Sequence, residues 1–458
     1  MTEQPSLDLT SLETYRRSCL EIAQARLGGF KSLAEIAEAE DDLNAYPRLD
    51  RLQDPRDIVL LDEASLGSSD TDRAKDAVLR GGVFWEHTAA GEATRLKLGT
   101  KYLINVPEDL NVEMMAERLG EELERPVRPE EIRERLEVEP GRLMPLPLGE
   151  RHLLQLAFDL TRLAEEAGQD PAQVLSRQKT LLVLNEKTAP DILTRLQKSR
   201  FAGFRRENFL FMIQPAFPGI NLRDGRFFFD PSAPARLHNH GQLVMQETMD
   251  DQIFRLSESG ERIYLKWEDF AGLLGEVDDK ISFNIEDLDY LTQSIDWGSL
   301  ALALRLGTEG YNMVMEIVAN NPENPIKGGM AAFDEVLDRN VMIESFQLKG
   351  LPNKEIKFLN KNFNHYTHPQ AAWEKLKEHG LPMPIAVKKG YLYFQPVQGD
   401  INFLVKTAFV QRKMLKPIRA WKSAANSAEA VNAMWAQDNQ PGFKEFARKV
   451  LGGNLPEK

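Results

Sequence analysis

Residues 180–213, TLLVLNEKTAPDILTRLQKSRFAGFRRENFLFMI, decide the fold. They hold two unbroken apolar runs, 180–184 (TLLVL) and 209–213 (FLFMI), separated by a helical stretch at 191–198. Apolar runs without alternation read as strands buried on both faces. Strands alternating with helices predict a parallel, doubly wound sheet of the α/β class. Upstream, 58–61 and 83–85 read as short strands and 153–164 as a helix. Downstream, 262–266 and 311–318 read as strands, and 297–306 as an apolar helix between Asp296 and Gly307. The last 90 or so residues hold strand-like runs at 390–395 and 403–406 and a helix near 427–437, which suggests a smaller C-terminal domain.

The ends and one insertion differ from this pattern. Residues 10–45 carry a loose helical stripe of Leu12, Tyr15, Leu20, Ile22, Leu27 and Phe30. Residues 107–143 are dense in charge and broken by prolines, and read as exposed helices that contribute little core. The expected organisation is an N-terminal helical extension over 1–55 and a core over 56–350 with the charged insertion at 107–143. The end of the core and a small C-terminal domain follow over 351–458.

With 57 basic against 70 acidic residues, a net charge of −13, the chain is poorly suited to non-specific binding of nucleic acid or anionic membrane. A small anionic ligand would need a local basic pocket. The single cysteine, Cys19, excludes an internal disulfide framework. The polar start MTEQPSLDLT lacks a signal-peptide core, and no apolar run is long enough to span a bilayer. A soluble cytoplasmic protein is the expectation.

The run at 88–101, TAAGEATRLKLGTK, follows a strand and combines small residues with fixed positive charge. Such a loop brings backbone N–H groups and cations to phosphates, with Gly91 permitting close approach, Arg95 acting as a fork and Lys101 as a point charge. Glu316 interrupts an apolar strand, where a buried carboxylate requires a partner. Arg412, Lys413, Lys416, Arg419 and Lys422 reverse the local charge of an acidic chain and favour an anion site. His238 and His240 form an HxH pair which, on a strand, would point both rings to one face as zinc ligands do.

Read in order, these segments resemble the UDP-sugar pyrophosphorylases, as a divergent, bacterial-type member. Residues 91–101 are similar to the family's GGxGTRLGxxxPK loop, and FMIQPAFPG at 211–219 to its FxQxxxP segment. LHNHGQL at 237–243 resembles its GHGD or GNGG turn, and FNIEDL at 283–288 its DN segment. YNMVMEIVANNPENPIKGG at 311–329 resembles MEVxxKTxxDxKGG, FLNKNFNHY at 358–366 resembles FNxNN, and RKMLKPIR at 412–419 resembles RxxFxPVK. The resemblance implies a Rossmann-like, GT-A-like nucleotidyltransferase fold with a mixed, mostly parallel sheet. It also implies Mg²⁺-dependent transfer of a uridylyl group from UTP to a sugar 1-phosphate. Arg95, Lys101 and Arg419 would be the catalytic phosphate binders. Ala90, Gly91, Thr94, Gln214, Asn239, His240 and Gly241 would contact the nucleotide. Glu316, Lys327, Asn360 and Asn362 would contact the sugar, and Glu286 or Asp287 would hold Mg²⁺.

The chain also departs from the family pattern. Ala90-Gly91 replaces paired glycines, Ala93 and Lys97 replace loop glycines, and Arg419 replaces the lysine of PVK. The lysine of the KT pair falls on Asn320 or Asn321. A catalytically degenerate sugar-nucleotide-binding or regulatory protein of the same fold is therefore the alternative, with a metal hydrolase built on His238 and His240 as a third reading.

Overall fold

The computed structural model describes residues 7–91, 96–414 and 419–452, with Asn362 described by its backbone alone. At the centre stands one mixed sheet. Ten of its thirteen strands lie in the order Arg262–Tyr264, Ile253–Leu256, Phe209–Gln214, Lys179–Asn185, Val83–Thr88, Asp279–Asn284, Phe358–Thr367, Met313–Ala319, Thr407–Arg412 and Val59–Leu61, and Leu52–Gln53, Met330–Asp334 and Arg339–Ile343 branch from the Phe358 strand. Five of these nine neighbouring pairs are parallel. The remaining four are antiparallel. The Phe209, Lys179, Val83 and Asp279 strands form one unbroken parallel block, as the apolar runs at 180–184 and 209–213 predict.

Alternation along each strand divides the core. Leu182 and Leu184 pack on one face with Trp85, Phe209 and Phe211. Leu181 and Val183 pack on the other with Phe84, Leu210 and Met212. Two-residue periodicity thus feeds two hydrophobic layers from one strand. The first layer is closed by helices Ser68–Leu79, Leu148–Glu166, Ser427–Asp438 and Phe443–Val450. The second is closed by Leu12–Leu27, His240–Gln246, Trp267–Gly275 and Pro369–His379. A smaller sheet, ordered Ile385–Lys388, Tyr391–Phe394, Ile220–Arg223 and Arg226–Phe229, lies beside the large one.

Three sequence expectations need correction. Residues 107–143 contribute more core than expected: Val112, Met115, Ala116, Leu119, Ile132 and Leu143 are buried in the first layer. The spacing 112, 115, 116, 119 gives the Val112–Leu123 helix one apolar face, which the dense charge around it obscures. Residues 403–406 are not a strand. A 3₁₀ segment, Gln398–Phe403, precedes the true strand Thr407–Arg412, which belongs to the central sheet. The N-terminal helical stretch is three helices, Leu12–Leu27, Leu33–Glu38 and Glu40–Asn44.

The last two helices are fastened to Leu148–Glu166. Arg151 and Asp438 pair at 2.7 Å with both side chains fully buried, and Arg151 also donates to Gln437 Oε1 at 2.9 Å. Among the described residues no helix is long and apolar enough to cross a membrane.

Candidate functional site

Strand order places the site. From the Val83 strand the chain steps to the Lys179 strand and then the Phe209 strand on one side, and later returns to the other side at Asp279. Connections therefore leave the Val83 and Asp279 strands in opposite directions. A crevice opens at their carboxyl ends, where doubly wound sheets bind ligands. Thr88, Asn185, Gln214 and Asn284 end these four strands. The Thr88 hydroxyl donates to Asn284 Oδ1 at 2.9 Å, and Asn185 Nδ2 donates to the Ala90 carbonyl at 3.0 Å. The loop closes where the Lys101 N–H donates to the Gly91 carbonyl at 3.1 Å. Thr94 and Arg95 lie outside the described residues. Lys97 stands where the family motif has glycine and adopts φ +54°, and Gly99 adopts φ +76°. The loop thus keeps left-handed turns, one of them on a residue that pays about 1–2 kcal/mol for it.

Two segments then bring charge to the crevice. Residues 286–288 and 419–421 dock through backbone: the Trp421 N–H donates to Glu286 O at 2.8 Å, and the Leu288 N–H to Arg419 O at 2.9 Å. Glu286 consequently sits between Lys101, on one carboxylate oxygen, and Lys422, at 3.3 Å from the other. Burial alone would raise the Glu286 carboxyl, but the two lysines hold it below its ordinary value. Its neighbour Asp287 is pushed up to about 7, first by burial and then by the charge of Glu286. Arg419 pairs with Glu429 at 2.8 Å and Asp289 at 3.3 Å.

A cavity of about 290 Å³ extends from here, lined by Asp287, Glu316, Lys361, Arg412, Arg419 and Lys422 among others. Glu316 Oε1 accepts from Lys361 at 2.6 Å and Arg412 Nε at 2.8 Å, which answers the requirement for a partner. Its Oε2 is buried and has no hydrogen-bond partner. Arg412 also pairs with Asp296 at 2.6 Å.

The structure does not gather all four expected sugar contacts. Asn360 precedes Lys361 on the Phe358–Thr367 strand, so adjacent side chains turn to opposite faces. The Asn360 amide lies near Gly399, and the Glu344 carboxylate approaches both Gly399 and Gly329. Burial raises the Glu344 carboxyl. Lys327 is exposed in the loop before the Met330–Asp334 strand, and the Asn362 side chain lies outside the described residues.

On the other flank, Gln214 Nε2 donates to the His238 carbonyl. Asn239 caps the His240–Gln246 helix, its side chain accepting from the Gln242 N–H at 3.1 Å. Gly241 has a steric reason to be glycine: a Cβ there would overlap the Pro396 carbonyl and the Val397 nitrogen. The two histidines do not share a face. His238 is buried edge-on against Phe217, 4.0 Å between centroids, whereas His240 opens the helix and keeps solvent-accessible surface. The helix start between them breaks the strand periodicity that paired zinc ligands need.

Among the described residues no group of three His, Cys, Asp or Glu side chains is arranged to hold a metal ion. Mg²⁺ asks for less, one or two carboxylates completed by phosphate and water oxygens. Asp287 fits that requirement, because a cation beside it would relieve both effects that oppose its ionisation. Glu286 has both oxygens engaged by lysines. Sequence reading missed Asn284, Asp296, Glu344 and Lys361. Lys361 lies inside the quoted FLNKNFNHY segment, and strand alternation was the signal that separates it from Asn360.

No family model matches the chain, and no curated protein matches it. Solved structures do. The UDP-N-acetylglucosamine pyrophosphorylase of Trypanosoma brucei aligns with TM-score 0.59 at 11% identity, over 93% of this chain and 78% of its own. A variant of the UDP-glucose pyrophosphorylase of Leishmania major aligns with TM-score 0.53 at 15% identity, over 86% and 72%. At such identities the likeness concerns architecture: this chain has the Rossmann-like nucleotidyltransferase fold seen in the UDP-sugar pyrophosphorylases.

Proposed function

We propose that the protein transfers a uridylyl group from UTP to a sugar 1-phosphate. The observation that carries this is the set of cations at the carboxyl ends of the parallel block in an acidic protein. Lys101, Lys422, Arg419, Lys361 and Arg412 are held there by docked backbone and buried carboxylates. In the reaction a phosphate oxygen of the sugar 1-phosphate attacks the α-phosphorus of UTP, the bond to the bridging oxygen breaks, and pyrophosphate departs. Catalysis of this kind is positioning plus charge neutralisation.

Lys101 and Arg95 neutralise the triphosphate, and Arg419 faces the sugar phosphate. Gln214 reads the uracil edge from the end of its strand, with the Asn239–Gly241 turn beside the base. Glu316 Oε2, unpartnered at the cavity, accepts from a sugar hydroxyl. Asp287 would hold Mg²⁺, which would supply charge neutralisation there. We place the enzyme in the cytoplasm, as a soluble protein with no nucleic-acid or membrane partner.

The test is pyrophosphate release from purified protein with Mg²⁺, UTP and a panel of sugar 1-phosphates, with the other nucleoside triphosphates in parallel. Release that requires both UTP and one sugar phosphate is the expected result.

One observation favours a second reading, a sugar-nucleotide binder without turnover. Asn320, one of the two residues on which the family's KT lysine falls, commits its side chain to the loop. It donates to the carbonyls of Ile326, Asn353 and Ile356 at 3.0–3.2 Å and accepts from the Ile326 N–H. It is a structural staple with no charge to offer. Saturable UTP binding without pyrophosphate release from any substrate pair would select this reading.

A further inference from the structure

A second cavity, of about 620 Å³, lies between the Leu12–Leu27 helix, the smaller sheet and the 235–242 segment. Its walls are Phe217, Phe229, Leu392, Tyr393 and Phe394. Its size falls in the range of small-molecule sites, which combine apolar walls with a few placed polar groups. Two such groups stand out. His238 lines the cavity with its ring, is 2% exposed, and has both ring nitrogens sealed from solvent, with the Gln246 side chain beside them. Burial pushes its imidazole down to about 3, so it stays neutral, with one donor and one acceptor. Arg236 lies at the exposed edge, 5.1 Å over the Tyr393 ring, and pairs with no carboxylate among the described residues.

Two of the other polar liners are occupied. Asn239 and Gln242 cap each other's backbone, and Gln242 Nε2 also donates to Tyr15 at 3.3 Å. Cys19 is a poor nucleophile, since burial pushes its thiol up to about 12. The cavity therefore offers aromatic walls with the neutral His238 ring among them and, at the mouth, one cation with no carboxylate partner among the described residues.

We propose that this cavity binds an aromatic carboxylate, its ring among the phenylalanines and beside His238 and its carboxylate on Arg236. The ligand bears on the nucleotide turn, because Asn239 and Gln242 both line the cavity and cap the helix that begins at His240. This second half rests on the uridylyltransferase reading.

Calorimetric titration of the full chain with 2-naphthoate and with its uncharged analogue 2-naphthalenemethanol tests the site. Naphthoate binds about tenfold more tightly or better, the scale of a charge-assisted contact. Arg236→Gln removes that difference. Ala235→Trp, which fills the mouth from an exposed position, removes binding of both without changing the melting temperature. No binding by the folded protein, or binding indifferent to Ala235→Trp, overturns the site, and equal affinity for the two probes overturns the ligand class. Saturating naphthoate shifts the UTP dissociation constant severalfold. An unchanged UTP affinity overturns the coupling and leaves the cavity, whereas no UTP binding at all counts against the uridylyltransferase reading alone.

Discussion

His87 and His152 lie in the first core layer with their rings 6.5 Å apart, and the Nε2 of each is buried without a partner. Burial lowers His87 to about 4; burial and then the neighbouring His87 lower His152 to about 3. The unfolded chain takes up these protons near the ordinary value of 6.5, while the folded protein refuses them until far lower pH. Their contribution is thus complete above pH 6.5 and is lost as pH falls toward 4, on the order of 3 kcal/mol for each histidine. Urea midpoints measured between pH 7 and 4.5 decline, and a His87→Leu/His152→Leu pair flattens the decline. A slope unchanged in that variant would assign the acid sensitivity elsewhere. Lys101 is a residue of another kind, since its charge answers Glu286 and, in the proposed reaction, the triphosphate. Lys101→Ala is expected to lower kcat/KM about 100-fold, the scale of a lost transition-state contact. Full turnover in that variant sinks the assignment. Ser299, His365 and Asp279 hydrogen-bond in series at 2.9 and 2.6 Å, in the manner of a hydrolase relay. All three are buried, and the series fastens the Trp297–Thr308 helix to two strands.

At the scale of elements, the turn before His240 depends on a missing side chain. The Pro396–Val397 backbone crosses where a Cβ of residue 241 would stand, and backbone cannot retreat as a flexible side chain does. Gly241→Ala is expected to cost about 1–3 kcal/mol, read as a lower thermal midpoint, and to weaken UTP binding through the displaced turn. An unaltered midpoint would show that the crossing yields cheaply. This crossing joins residues 155 positions apart, so no local pattern announces it. The parallel block was legible because fully buried strands write themselves as apolar runs. The Val112–Leu123 helix was not, because its apolar face is four residues among many charges. The Thr407–Arg412 strand was displaced in the reading by the apolar tail of the preceding 3₁₀ segment. In the site, Glu316 was legible as a carboxylate that needs partners, and Lys101 as a loop cation. The contacts of Glu344 arise from three distant segments that meet only in space.

At the scale of the whole molecule, both core layers share the same strands, and the last helices share the first layer. Unfolding is therefore expected to be one cooperative calorimetric transition, where a separable C-terminal unit would give two. Asp438→Ala leaves Arg151 charged and buried alone, at a cost of about 3–5 kcal/mol, and lowers the midpoint of that same transition. The outermost pairing of the sheet carries a further consequence. Val59–Leu61 finds its partner strand at Val410–Arg412, about 350 residues later. On the ribosome, at roughly 5–20 residues per second, the early strand waits on the order of 20–70 s before its neighbour exists. The segment that brings Arg419 and Lys422 to Glu286 emerges later still. The nascent chain is thus held unfinished until the 407–422 segment has been made, and protecting its exposed strand edges in that interval falls to the cell's chaperones.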